Sequence, residues 1–196
     1  MKLRILKIKL LVGLVAILLL VSTHALPEGG WVGVVMDAIA YILITGATLG
    51  RVWSSAYVVG KKDSMLVEEG PYSVTRNPLY FFSFLGFLGI GLATGTVVIT
   101  LIMILIFFGT HWPTIMDEEK KLQLLFGEKY QDYMGRVPRF LPKLARVEHP
   151  MTLNVNSRIL TKSVVDNFTL PMFFGLVQLC EWLHMNHYLP TLFTIL

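Results

Sequence analysis

Long apolar runs alternate along this chain with short, strongly polar segments, and the lengths of the runs set the kind of fold. A bilayer core about 30 Å thick takes roughly 20 apolar residues as a helix. The first run covers residues 10–21 and is preceded by Lys2, Arg4, Lys7 and Lys9. The second covers 31–49 and ends at Arg51, and the third covers 79–93. Thr94 and Gly95 then make a tight break before a fourth run over 96–109. A fifth stretch, 164–182, is less regular, because Asp166, Asn167 and Pro171 favour a broken, tilted or partly interfacial helix. The pattern predicts an all-α fold: a multi-span transmembrane helical bundle of about five membrane helices. It divides into N-terminal membrane helices (1–56), a core built on a helical hairpin (57–145), and a C-terminal linker with the less regular helix (146–196).

Charge orients that bundle. With the N-terminus in the cytoplasm and one crossing per run, the cytoplasmic segments are 1–9, 50–78 and 112–163. All 17 Lys and Arg residues fall in them. The opposite loops, around 27–30 and 94–95, hold none. This is the positive-inside pattern, and it predicts a multi-pass protein with its N-terminus and its polar chemistry on the cytoplasmic side. The start has a second reading: a basic beginning, a short apolar stretch and Ser22-Thr23-His24-Ala25 also fit a secretory signal peptide.

Composition agrees with a membrane protein. The chain is 54% hydrophobic and 15% charged, whereas soluble domains carry about 25% charged residues. The net charge of +4 comes from basic residues beside apolar runs, with no basic arm interleaved with aromatics. Anionic lipid headgroups, rather than nucleic acid, are the expected partner of that charge. A single cysteine, Cys180, excludes a disulfide framework within one chain and a cysteine-rich zinc site.

Two polar segments flank the hairpin of the third and fourth runs. The one that enters it reads Gly70-Pro71-Tyr72-Ser73-Val74-Thr75-Arg76-Asn77-Pro78-Leu79-Tyr80. Pro78 suits the first turn of a helix and Asn77 suits the cap before it. Arg76 lies beside the free N–H groups of that helix start, a corner fit for an anion such as an amino-acid carboxylate. The bland alternative makes Arg76 an interfacial anchor and Asn-Pro a simple helix start. The segment that leaves the hairpin runs from His111 through Asp117-Glu118-Glu119, and Leu122, Leu125, Phe126, Tyr130 and Tyr133 follow at helical spacing. These predict an amphipathic helix on or docked into the interface. The acids suit ribose hydroxyls or a cation, or simply a helix start that uses its dipole.

Together the two segments resemble the isoprenylcysteine carboxyl methyltransferase and phospholipid methyltransferase superfamily, over about residues 60–142. Its pattern of Arg-His-Pro-x-Tyr, an apolar stretch and Glu-Glu is similar to Arg76-Asn77-Pro78-Leu79-Tyr80, the hairpin, and Glu118-Glu119. Phe126-Gly127, Tyr130, Tyr133, Val137-Pro138-Arg139 and Leu141-Pro142 continue the likeness. The resemblance implies an S-adenosylmethionine-dependent methyltransferase with its cofactor at the cytoplasmic membrane edge. It implies cofactor contacts from Ser64, Met65, Leu66, Val67, Tyr72, Asn77, Pro78, Leu79, Tyr80, Glu118 and Glu119. Arg76 and His111 are the catalytic candidates, and no metal is expected. The acceptor implied is a lipid or small hydrophobic molecule offering a carboxylate, amine or thiol.

The departures bear on that acceptor. Asn77 replaces the usual histidine and cannot titrate, and Phe82 stands where a glycine is common. The prenylcysteine enzymes carry an arginine four residues before the first paired glutamate, facing the acceptor carboxylate; here that position is Thr114, and Arg51 or Arg76 is the alternative source of that charge. Two other readings remain: an NADPH-dependent reductase of the sterol-reductase type, whose turn is similar, and a non-catalytic membrane scaffold. Asp37 inside the second run and the Glu181, His184, His187 group are read as structural or interfacial polarity.

Overall fold

The computed structural model describes residues 22–24, 30–61, 64–148, 153, 155, 157–189 and 193–195. The first apolar run, and with it the choice between an anchor and a signal peptide, lies outside the described residues. The described elements are β1 (Ser22–His24), α1 (Trp31–Val58), a 3-10 turn at Gly70–Ser73, α2 (Pro78–Ala93), α3 (Val97–Arg136), α4 (Ser157–Asn167), α5 (Thr169–Met185) and β2 (Phe193–Ile195). β1 and β2 pair in parallel over three residues; everything else regular is helical. Among the described residues, three stretches are long and apolar enough to cross a membrane: Trp31–Val58, Val97–Arg136 and Leu160–Met185. The protein is an integral membrane protein. Pro78–Ala93 is apolar but has 16 residues, about 24 Å of helix.

Two runs extend further than the apolar pattern implies. Arg51 does not end α1, which continues to Val58, because Arg51 is received by polar side chains and need not reach water. The fourth run and the expected interfacial helix are one element, the 40-residue α3. Its hydrophobic pattern stops near residue 109 while the helix goes on. Pro113 lies on an exposed face and does not end it. The interruption comes at Gly127, with φ 52° and ψ −124°; only glycine holds that backbone without a Cβ clash. The irregular fifth stretch is broken, as Asp166 and Asn167 suggested, at Phe168 between α4 and α5.

The chain forms two compact units. The first draws on Met1–Ile44, Phe87–Thr110 and Leu170–Leu196. Its core is aliphatic: Ile44, Ile90, Ile99 and Met103 form one cluster, and Ala40, Ala93 and Val177 another. A Cβ on Gly91 would lie 2.7 Å from the Cα of Thr100, so α2 and α3 meet backbone to backbone, as small residues allow in membranes. Asp37 accepts a hydrogen bond from Gln178 at 3.2 Å. His184 is buried with Nδ1 2.9 Å from the Cys180 carbonyl. Among the described residues no group of three or more His, Cys, Asp or Glu could hold a metal ion.

The second unit draws on Thr45–Gly86 and His111–Thr169. Tyr130, Tyr133, Leu66 and Val137 form its core, with Leu122, Phe126 and Met134 packed against it. The periodic residues on α3 therefore face protein, except Leu125, which is exposed. Phe81, Phe84 and Trp112 meet Phe140 edge-on at 5.8–6.0 Å.

Candidate functional site

The candidate site lies wholly within the second unit. Its frame is the strip from Val74 to Asn77, which backbone and side-chain bonds tie to the segment after α3. The Arg76 N–H donates to the Pro138 carbonyl (2.9 Å), the Lys143 N–H to Val74 (3.0 Å), and the Thr75 hydroxyl to Phe140 (2.9 Å). Tyr133 donates its hydroxyl proton to the Tyr72 carbonyl at 2.7 Å. The Val137-Pro138-Arg139 and Leu141-Pro142 pattern is thus a brace for the strip that enters α2.

Asn77 stands directly before α2, and its carbonyl accepts from the N–H groups of Tyr80 and Phe81. Its side-chain amide nitrogen donates to Glu119 Oε1 and to the Arg139 carbonyl, both at 2.9 Å. Glu119 also accepts from Arg139 Nε at 2.9 Å and has Arg76 Nε at 3.5 Å. The Glu119 side chain is 7% exposed. One buried carboxylate therefore gathers two guanidinium groups and an amide from two places in the chain, residues 76–77 and 139. A buried charge is tolerated when it is paired and hydrogen-bonded in this way.

Beside this cluster is a cavity of about 600 Å³. Met65, Leu66, Val67, Tyr72, Asn77, Pro78, Leu79, Tyr80 and Glu118 line it, as do Arg76 and His111. Two residues of the expected set are elsewhere. Ser64 is exposed, and its hydroxyl donates to the Lys61 carbonyl at 3.0 Å. Glu119 is held in the buried cluster and does not reach the lining. Thr114 is not on the lining either. The wall also takes in Arg51, Val58, Ser83, Lys121, Leu122 and Tyr133, none of them among the expected cofactor contacts, although Leu122 and Tyr133 belong to the pattern that follows the acids. For Lys121 and Leu122 a signal existed: they lie three and four positions beyond Glu118, on its helix face.

The lining is more apolar than polar. Burial pushes the Tyr72 hydroxyl above its ordinary pKa, with the charge of Glu118 and then Tyr80 adding to the rise. Tyr72 is therefore a neutral phenol at physiological pH. The ring of Tyr80 meets that of His111 edge-on at 5.9 Å. Arg76 Nε faces Glu119, while its buried Nη1 has no hydrogen-bond partner among the described residues, which leaves donor capacity beside the helix start.

The chain was compared with known proteins. The phospholipid methyltransferase family model matches residues 29–129. The cobalt-zinc-cadmium resistance protein CzcN of Cupriavidus metallidurans is 30% identical over 164 residues, 84% of this chain and 74% of that protein. The nickel-cobalt-cadmium resistance protein NccN of Alcaligenes xylosoxydans xylosoxydans is 29% identical over 177 residues, 90% and 83% of the two chains. A protein-S-isoprenylcysteine O-methyltransferase of Schizosaccharomyces pombe is 35% identical over 81 residues, 41% of this chain and 34% of that enzyme. No solved structure matches. With its matched segment running from the start of α1 through the acids of α3, the chain belongs to the phospholipid methyltransferase family.

Proposed function

We propose that the protein is an S-adenosylmethionine-dependent methyltransferase acting on a lipid-like or small hydrophobic acceptor in the cavity of the second unit. The observation that carries this reading is the convergence of Met65–Val67, Tyr72, the Asn77–Tyr80 turn and Glu118 on one cavity wall. These come from separated stretches of sequence on either side of the hairpin.

The residues suit the cofactor. Met65, Leu66 and Val67 offer an apolar wall to a purine, and Glu118 offers a carboxylate to ribose hydroxyls or to an ammonium group. Arg76 Nη1, two residues before α2, suits a carboxylate. When bound, S-adenosylmethionine supplies an activated methyl group whose bond to sulfur breaks with the electron pair going to sulfur. The protein's part is to align the acceptor and exclude water. Glu119 fixes the turn on which Arg76 and Asn77 stand and acts by positioning. His111 is the residue placed to take a proton if the acceptor is an amine; an ionised carboxylate needs no base.

The cytoplasmic placement of this site rests on the distribution of Lys and Arg. The names of CzcN and NccN give a resistance outcome and no reaction, so they direct the choice of acceptor nowhere. Calorimetry on the detergent-solubilised protein tests the reading. Adenosylhomocysteine is expected to bind and NADPH not to bind; binding of NADPH alone would replace it with the reductase reading. Cysteine labelling at positions 28 and 61 is expected to report opposite sides of the membrane, and the same side for both would remove the proposed orientation.

A further inference from the structure

Arg51 is one of the residues on the cavity wall that the cofactor reading does not use. It lies inside α1, a membrane-spanning helix, and lines the cavity. Its Nε donates to Asn167 Oδ1 at 2.5 Å and its Nη1 to the Ser83 hydroxyl oxygen. Both acceptors are neutral, and among the described residues Arg51 has no acidic partner. A guanidinium in such a place without a counter-charge is costly unless something else supplies one.

The two neutral acceptors are themselves aimed. The Ser83 hydroxyl donates its proton to the Leu79 carbonyl at 2.7 Å, which leaves its lone pairs for Arg51. The Asn167 amide nitrogen donates to Ser163 at 3.3 Å, which turns its oxygen toward Arg51. Side chains from α2 and α4 thus hold the guanidinium at one orientation. Of its five N–H groups two are engaged, leaving one on Nη1 and both on Nη2. That is the end-on fork that receives a carboxylate or a phosphate with two parallel hydrogen bonds.

The charge of the cavity points the same way. Its wall carries Arg51, Arg76 and Lys121 against Glu118 alone, while Glu119 is turned to Arg76 and Arg139 outside the lining. The cofactor proposed above carries two positive groups and one negative, so it adds to the positive excess. A cationic acceptor would add more, and an anionic one relieves it. The prenylcysteine enzymes draw such a cation from α3, where this chain has Thr114, away from the cavity lining.

We infer that Arg51, braced by Ser83 and Asn167, is the anion-recognising residue of the acceptor subsite, and that the acceptor is an amphiphile bearing an anionic oxygen group, carboxylate or phosphate. The inference rests on the methyltransferase reading for the meaning of the subsite, and its test separates the two.

The test uses the full chain in phosphatidylcholine nanodiscs with adenosylhomocysteine present. Four probes of equal chain length are titrated, with tryptophan fluorescence as readout: dodecanoate, dodecyl phosphate, dodecanol and dodecylammonium. The wild type is expected to bind at least one anion about tenfold or more tighter than the alcohol and the ammonium, tenfold being 1.4 kcal/mol. Whichever anion is tighter names the headgroup. Arg51→Lys should keep the preference for anions. Arg51→Gln should abolish it while changing the adenosylhomocysteine Kd by no more than about twofold. Equal binding of anions and alcohol by the wild type overturns the inference without need of a variant. So does an Arg51→Gln protein that keeps the preference, or one that loses adenosylhomocysteine and anion together. Anion preference in a wild type that does not bind adenosylhomocysteine would instead sink the methyltransferase reading and leave the anion site standing.

Discussion

The two units are built from stretches of the same helices, yet they are held together differently. In the first, the buried side chains are mostly aliphatic, Gly91 lets two helices touch, and Asp37 with Gln178 joins α1 to α5 through one neutral donor. In the second, charged and amide side chains bridge segments far apart in sequence: Asn77 to Glu119, Arg139 to Glu119, Arg51 to Asn167. Lipid is as apolar as leucine, so helices in a membrane gain little by burying leucine and instead rely on close packing. The second unit holds its cavity beside buried polar clusters, which stay fixed because each partner is costly to leave unpaired.

The sharpest way to break this comparison is to remove one acid from each unit. Glu119→Ala strands Arg76 and Arg139 and should cost about 3–5 kcal/mol of stability, enough to prevent folding in many membrane proteins. Asp37→Asn keeps a hydrogen-bonding side chain opposite Gln178 and should cost about 0.6 kcal/mol or less. Unfolding in mixed micelles measures both. A larger loss for Asp37→Asn would reverse the roles assigned to the two units.

Next in size is a change that moves binding and leaves folding alone. Glu118→Gln removes the carboxylate on the cavity wall and should weaken adenosylhomocysteine by roughly ten- to a hundred-fold, the worth of one charge-assisted hydrogen bond. Its melting temperature should stay near that of the wild type. The contrast with Glu119→Ala is the point: adjacent acids, one read out in binding and the other in folding. Equal melting losses for the two would dissolve the distinction.

The first unit has its own sensitive position. Gly91→Ala would push a methyl against the Thr100 backbone and should cost about 1–3 kcal/mol by overpacking. Gly46→Ala, where a Cβ meets nothing within 4 Å, should be neutral or stabilising, because alanine is the better helix former. If both alanines are tolerated equally, the close contact of α2 and α3 is not what holds that unit.

Much of this architecture is written in the hydrophobic pattern, and the exceptions have physical causes. The start of α2 at Pro78, its end at Ala93 and the break in the fifth stretch were legible, because proline, small polar residues and charge act locally. The ends of α1 and α3 were not, since hydropathy reports where the solvent changes and a helix does not stop there. The family resemblance around the hairpin implied Tyr72, Asn77–Tyr80 and Glu118 as one group. It could not tell Glu118 from Glu119, which lie about 100° apart on a helix and so face different surroundings. Arg51 could be read from the sequence only as an alternative cation to the missing arginine at 114; the partners that hold it, 32 and 116 positions away, were not legible.

The smallest expected effect is one of pH, and it belongs to Tyr72 on the cavity wall. Burial, followed by the charge of Glu118, raises its pKa above the ordinary 10.0. The folded protein therefore holds the phenolic proton more tightly than the unfolded chain does. Below pH 10 both states keep the proton, and the group gives stability no pH dependence. Above it the unfolded chain loses the proton first, so stability falls as pH rises toward the folded value, by at most about 1.4 kcal/mol per pH unit from this one group. Other groups also titrate there, so the readout is the difference between wild type and Tyr72→Phe. The two melting curves should keep a constant offset from about pH 7 to pH 9, and the wild type should lose ground to the variant above about pH 10. A constant offset across the whole range would mean that the phenol meets water in the folded protein, and that Glu118 and Tyr72 do not share the cavity wall as described.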